Sequence, residues 1–331
     1  MPENATNLIP CPPLKICILG GTGFVGQHII SCLSGFQHKI TVLSRHPERK
    51  RDLGIYPGVR LIRADCHNPK TLADYFAGQD AVINLVGILN ERGDTGKEFH
   101  HVHVDLAEKV THACKKQAVR RLLHMGALNA DSGFGRSHYL LTKGEAEEIV
   151  HAAATDRFQV TSFQPSVIFG PEDGFFNRFA KILRLTPYFV PIACPRTKFA
   201  PVYVDDVAQA FVASLHNPLT AGKRLALCGP TQYTLKQLVE FTAHTLKLRR
   251  RVIGLGRVFS KLQARLLEFL PGKPMSRDNY RSLQIDSCCE HNALYSLGIE
   301  PRSIEAIVPT YLSGAGERGR LNDLRKQSRR H

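Results

Sequence analysis

No apolar run in the sequence approaches the ~18 residues a helix needs to cross a bilayer, so no transmembrane helix is expected. The opening segment, 1–13, is polar and proline-rich. It lacks the basic start and apolar centre of a secretory signal, and the arginines of a mitochondrial presequence. A cytoplasmic location is the expectation, with peripheral attachment to the inner face of the cytoplasmic membrane left open. The nine cysteines form no Cys-x-x-Cys pair, and several fall inside apolar patterns. Reduced, buried thiols are the simplest reading. Internal repeats and extended low-complexity segments are absent. Aromatics are not interleaved with basic residues as in a known nucleic-acid module, so no nucleic-acid partner is expected.

Acid is the scarcer charge. Lys and Arg number 44 against 29 Asp and Glu, a net charge of +15, with a pI near 9.6. Such an excess concerns partners rather than fold: an anionic membrane surface, a phosphorylated ligand or an acidic protein. Part of it sits in the tail, where Arg318, Arg320, Arg325, Lys326, Arg329 and Arg330 face Asp323 alone. That tail reads equally as a solvated end or a docking segment. Arg249-Arg250-Arg251 is a second cluster. In 257–270, Val258, Phe259, Leu262, Leu266, Phe269 and Leu270 form one apolar stripe, with Arg257, Lys261 and Arg265 at i, i+4, i+8. This basic amphipathic helix suits its own domain, an anionic membrane surface or a partner groove.

At 331 residues the chain can bury a large core. Its richest local signal is Gly20-Gly21-Thr22-Gly23-Phe24-Val25-Gly26, directly after the apolar run Leu14–Leu19 and before an amphipathic stretch, Phe24–Leu33. Strand, glycine turn and helix in that order form a dinucleotide-binding signature. Gly20 allows the tight turn, Gly23 lets backbone approach a pyrophosphate, and Gly26 lets the helix pack on the strand. The helix N-terminus offers N–H groups and partial positive charge to the phosphates. Further strands are predicted at Lys39–Leu43, Val59–Arg63, Ala81–Val86, Arg121–Met125, Gln159–Gln164 and Arg224–Cys228. The intervening helices fall near Lys70–Ala77, Glu98–Gln117 and His138–Ala154, with later ones at Asp205–Leu215 and Thr234–Leu246. This alternation predicts an α/β fold, a Rossmann-type doubly wound parallel sheet with its ligand at the carboxyl ends of the first and fourth strands. Expected organisation is a flexible 1–13, a nucleotide domain over 14–170, a smaller α/β substrate or docking region over 171–316, and a basic tail over 317–331. Within the second region, 171–201 reads as a loop-and-helix lid.

The second predicted strand ends in Leu43-Ser44-Arg45-His46, where NAD enzymes usually carry an acid for the ribose 2′-hydroxyl. Arg45 can instead fork onto a 2′-phosphate, with Ser44 as a second donor. NADP(H) is therefore expected over NAD(H), which remains possible. Asp65 is placed to reach the adenine amine, or to make a turn. Tyr139 and Lys143 are spaced i, i+4 on one helix face. A lysine there lowers the phenol's pKa and can hold the nicotinamide ribose, so that Tyr139 exchanges a proton with a substrate oxygen.

Together these residues resemble the short-chain dehydrogenase/reductases, of the extended or atypical branch. The resemblance also takes in Asn84-Leu85-Val86-Gly87, Gln164–Gly170 and Pro201–Ala208. It implies catalytic Tyr139 and Lys143, and a cofactor touched by Gly20, Thr22, Gly23, Phe24, Val25, Gly26, Ser44, Arg45, Asp65, Cys66, Leu85, Val86, Gly87, Lys143, Pro165 and Val167. It assigns Val204–Val207 an architectural role, a strand end capping a helix. Leu270–Asp278, Leu283–Asp286 and Leu297–Glu305 look like the C-terminal signature of proteins similar to the nucleotide-binding accessory subunit of respiratory complex I and its bacterial relatives. Complex I subunits are the partners this implies.

One position departs from the family. Active members usually carry Ser or Thr where this chain has Gly126, which has no hydroxyl to orient a carbonyl. Losing such a donor costs ~10²–10³-fold in rate, by analogy with oxyanion donors. Ser132 or Ser137 could substitute. The expectation is an NADP(H)-binding protein with weakened or absent catalysis, structural or regulatory in role; the alternative is an active reductase, epimerase or dehydratase on a sugar-nucleotide, lipid or quinone-like substrate. No metal site is expected: His100 and His103 share a helix face, His101 points elsewhere, and no carboxylate or cysteine completes a set. Glu145, Glu147 and Glu148 read as a solvated helix face.

Overall fold

A computed structural model describes residues 12–133, 137–268 and 275–313. Residues 1–11, the stripe's last members Phe269 and Leu270, positions 271–274 of the signature and the basic tail lie outside the described residues.

Six strands follow the predicted order: β1 (Lys15–Leu19), β2 (Lys39–Ser44), β3 (Val59–Arg63), β4 (Ala81–Asn84), β5 (Arg121–Met125) and β6 (Gln159–Pro165). Three short pairs lie outside the main sheet: β7 (Ile168–Phe169) with β10 (Val202–Tyr203), β8 (Phe189–Ile192) with β13 (Arg251–Gly254), and β9 (Lys198–Phe199) with β12 (Tyr233–Thr234). With β11 (Arg224–Leu227) the main sheet has seven strands in the order β11-β6-β5-β4-β1-β2-β3, all parallel. Ile16, Cys17, Ile18 and Leu19 are wholly buried because helices cover both faces. On one face, Ile29, Ile30 and Leu33 of α1 (Phe24–Leu33) and Phe211 of α7 (Val204–His216) share a core. On the other lie α2 (Pro69–Phe76), α4 (Leu106–Lys116) and α5 (His138–Ala152). Strand order reverses between β1 and β4, which opens a crevice at their carboxyl ends.

The rest of the chain builds a second core. Phe176 and Leu183 of α6 (Phe176–Leu185), Leu238 of α8 (Leu235–Thr245) and Val308 of α12 (Ile304–Leu312) meet there. Thr234 caps α8 in a reciprocal box with Gln237. Ala264 of α9 (Arg257–Leu267) and Tyr280 of α10 (Arg277–Ser282) meet Ala193 in a small separate cluster, while Leu294 of α11 (Ala293–Ser296) packs into the first core beside α1 and α7. Asp206 accepts from Arg302 N and Nε, both at 2.8 Å, which ties the chain before α12 to α7. Among the described residues no helix is long and apolar enough to cross a membrane.

Two expectations change. The helix predicted over 98–117 is α3 (Lys97–His100), a π turn over His101–Asp105, then α4. The wider turn breaks the 3.6-residue register. His100 and His101 therefore both reach Asp105 at 3.0 Å in solvent, while His103 turns inward and is buried. Nor are all the cysteines reduced: Cys228 and Cys289 form a disulfide across 61 residues. The end of β11 runs beside the chain leading to α11, where Asn292 Nδ2 donates to Cys228 O at 2.7 Å. Of the remaining described cysteines, Cys17, Cys66 and Cys114 are buried, and burial pushes the Cys66 thiol up to about 11.

Candidate nucleotide and substrate site

The crevice begins at the glycine turn. Gly20 has φ +76°, and a Cβ there would stand 3.2 Å from Leu85 C and Val86 N. The turn therefore runs against the end of β4, where Asn84 Oδ1 accepts from Val86 N at 3.2 Å and draws Leu85, Val86 and Gly87 out of the strand sooner than their apolar run implied. A Cβ on Gly26 would meet Gly21 Cα at 2.5 Å, so α1 packs backbone to backbone on the turn. Gly23 is the N-cap of α1, and no side chain caps it. Phe24, Val25 and Gly26 open the helix with their N–H groups at the crevice. The cradle fits a pyrophosphate: backbone donors at a helix N-terminus, with side chains kept away by glycine.

At the end of β2, Ser44 Oγ and Thr22 Oγ1 lie 3.1 Å apart, bridging the turn to the neighbouring strand. Arg45 follows, exposed. Asp65 Oδ1 accepts from His67 N at 2.9 Å, so one oxygen serves the turn, and Cys66 is buried beneath it.

Tyr139 and Lys143 stand on α5, one turn apart. Lys143 is buried, and its Nζ donates to Met125 O at 2.9 Å. A Cβ on Gly87 would lie 3.1 Å from that Nζ and 3.5 Å from His103 Nε2. Gly87, Lys143 and His103 thus converge at the crevice floor. Burial lowers the ammonium to about 8, partly offset by Glu147. The phenol does not follow the expectation: burial raises Tyr139 to about 12. Desolvation and Lys143 depress His103 to about 2, so its ring is neutral. Its Nε2 accepts from Ile88 N at 3.2 Å, which leaves the proton on Nδ1 to donate to Thr142 Oγ1 at 2.9 Å. The same ring meets the Tyr139 ring edge-on at 5.8 Å.

Gly126 N donates to Phe163 O at 2.8 Å. A Cβ on Gly126 would lie 3.2 Å from Glu147 Oε1. Glu147, expected in solvent, is 3% exposed, hydrogen-bonded to Ser162 Oγ and, at 2.7 Å, to Gln164 Nε2. Burial raises its carboxyl above the usual range. A signal for it exists in the sequence: Glu147 is i+4 from Lys143 on one face, and Ser162 and Gln164 alternate along β6 as its partners. The serines that could replace the missing hydroxyl are occupied elsewhere. Ser132 Oγ donates to Glu148 at 2.6 Å, and Ser137 is the buried N-cap of α5.

The C-terminal signature also acts here. Asp278, buried, accepts from His138 N at 2.7 Å and Tyr139 N at 3.1 Å, so α10 caps the helix that carries the Tyr/Lys pair. Asp278, His138 and Asp94 bring ligand atoms within 4.8 Å of one another. The Arg281 guanidinium already forks onto both Asp94 oxygens at 2.8 Å, filling the place a cation would take. Pro165 and Val167 flank Ser166, whose Oγ donates to Ser287 O at 2.7 Å, so the 284–289 stretch lies over this loop.

A model of the NAD-dependent epimerase/dehydratase family matches residues 16–227. The mitochondrial NADH-ubiquinone oxidoreductase 40 kDa subunit of Neurospora crassa is 27% identical over 89% of this chain and 78% of its own length. A ceramide reductase of Caulobacter vibrioides is 25% identical over 72% of this chain and 73% of its own. Among solved structures, MoeE5 in complex with UDP-glucose and NAD superposes with a TM-score of 0.70 at 17% identity, over 90% of this chain and 97% of that one. The family match spans the glycine turn, the crevice and the Tyr/Lys helix, the elements that the fold gathers at the carboxyl end of the sheet. This chain belongs to the NAD-dependent epimerase/dehydratase family.

Proposed function

We propose that the chain holds NADP(H) in this crevice, turns over slowly or not at all, and serves respiratory complex I as a structural, assembly or regulatory factor at the inner face of its membrane. The observation that carries this reading is an intact cradle beside a Tyr139/Lys143 pair whose usual hydroxyl partner is replaced by Gly126. Gly20, Gly23 and Gly26 admit the pyrophosphate; Leu85, Val86 and Gly87 line the opposite wall. Arg45 and Ser44 favour a 2′-phosphate, and no carboxylate at the end of β2 repels it. Asp65 and Cys66 border the adenine end; Lys143, Pro165 and Val167 border the nicotinamide end. Bound nicotinamide would supply hydride chemistry. The chain's own residues support that chemistry poorly: Tyr139 keeps its proton to about 12, and Gly126 offers no hydroxyl to share it. The Neurospora relative, named as a complex I subunit, supports the partner.

Calorimetry with NADPH and NADH tests the reading. NADPH is expected to bind more tightly, with no efficient turnover of carbonyl substrates. Absence of binding by either nucleotide overturns the cofactor half; fast NADPH-dependent reduction, lost in Tyr139→Phe, overturns the non-catalytic half.

A further inference from the structure

Helix α9 is built inside out. Its small residues Ser260 and Ala264 are buried, whereas Val258, Phe259, Leu262 and Leu266 are 77%, 65%, 51% and 61% exposed. A helix docked on its own domain buries the large apolar side chains and shows the small polar ones. Here Gln263 Nε2 tethers the helix to Pro191 O at 2.8 Å, and the stripe faces away. The adjoining β8–β13 ribbon adds exposed Phe189 and Ile253 at the same end of the molecule. Arg251 N donates to Tyr188 O at 3.0 Å, and Arg250 Nε to Leu183 O at 3.1 Å, so the arginine cluster belongs to this end as well.

The charge around the stripe selects its occupant. Residues 174–204 and 241–267, which form α6, the ribbon and α9, contain five and seven Lys or Arg and no Asp or Glu. A second copy of this chain would set like charges against each other. A surface of anionic headgroups over hydrocarbon matches both properties: the apolar side chains enter the acyl boundary, while Lys261 and Arg265, exposed one turn apart, keep their ammonium and guanidinium at the phosphates.

We infer that the exposed face of α9, with the β8–β13 ribbon beside it, is a docking surface for an anionic lipid bilayer. This rests on the membrane-linked role proposed above and specifies lipid, rather than a protein groove, as what the face meets.

The chain contains no tryptophan, so Phe259→Trp is a clean reporter. The full-length variant is mixed with vesicles of phosphatidylglycerol and phosphatidylcholine, and with phosphatidylcholine alone. A Leu219→Trp control reports an exposed position beside the start of β11. Expected results are a blue shift and bromolipid quenching in the Phe259→Trp protein only, weakening with salt. Lys261→Glu with Arg265→Glu should weaken binding at least tenfold, since each basic residue near such a surface is worth about fivefold. Co-sedimentation of the Phe259→Trp protein without a shift in its emission means the rest of the chain binds by charge alone and overturns the inference. So does equal binding to neutral vesicles, or a dimer in sedimentation equilibrium that Leu262→Ser abolishes. NADPH titration of the same samples separates the two readings: lost vesicle binding with nucleotide retained sinks only the docking face.

Discussion

Two glycines of the turn should fail in different ways when each becomes alanine. At Gly26 the new Cβ would lie 2.5 Å from Gly21 Cα, 2.6 Å from Gly21 O and 2.7 Å from Gly20 O. All three are backbone atoms that no rotamer change can move. Overpacking of this kind costs about 1–3 kcal/mol, and rigid neighbours put it at the upper end. In a chain of 331 residues that is a fall in Tm of roughly 3–4 °C. Nucleotide affinity should drop with it, because α1 is levered off the turn. Gly23 is different. Its φ of −78° suits alanine, and the nearest neighbour, Gly20 O, is 3.1 Å away, which a small shift relieves. Reduced backbone freedom in the unfolded chain offsets that by about 0.4–1 kcal/mol, so Tm should stay within a degree or two. Yet the methyl group would stand where a pyrophosphate must approach, and NADPH affinity should fall about 10–100-fold. Differential scanning calorimetry and titration calorimetry on both variants decide the matter. A Gly23→Ala protein that binds NADPH like the parent, or a Gly26→Ala protein with an unchanged Tm, would refute the cradle.

Arg45→Asp should reverse nucleotide preference, weakening NADPH by about 10–100-fold, the worth of a charge-assisted contact in partial solvent; equal NADPH affinity in parent and variant contradicts the 2′-phosphate assignment. Acid should destabilise the fold early. Burial holds His103 near 2 and His124 near 3, so between those values and 6.5 the unfolded chain binds protons that the folded chain refuses. Stability is full above 6.5 and falls below it, by about 1 kcal/mol per pH unit for each histidine. Urea midpoints at pH 7.5, 6 and 5 measure this, and a flat profile rejects it. Reduction of Cys228–Cys289, or Cys289→Ser, should cost up to about 4 kcal/mol by loop entropy; an unfolding midpoint indifferent to reductant means the link adds nothing.

Much of this was legible from order and spacing. Strand, glycine turn and helix at 14–33 announced the crevice, because a fully buried strand must be apolar throughout and a phosphate turn must be small. What escaped was whatever depends on distant chain. Glu147 looked solvated because its partners Ser162 and Gln164 lie on β6, outside the helix that carries it. His103 was misfaced because a π turn shifts register without a residue-type signature. The Cys228–Cys289 link joins positions that only the folded sheet edge brings together. Arg45 and Gly126 were readable as identities, but that a carboxylate sits under Gly126 was not.

The hold of Asp278 on the first turn of α5 has a consequence for engineering. The helix bearing the Tyr/Lys pair is finished by a residue nearly 140 positions downstream. Neither segment is a portable module: grafting the front half of this chain onto the back half of a relative would leave that helix start without its clasp unless Asp278 and its neighbours travelled too.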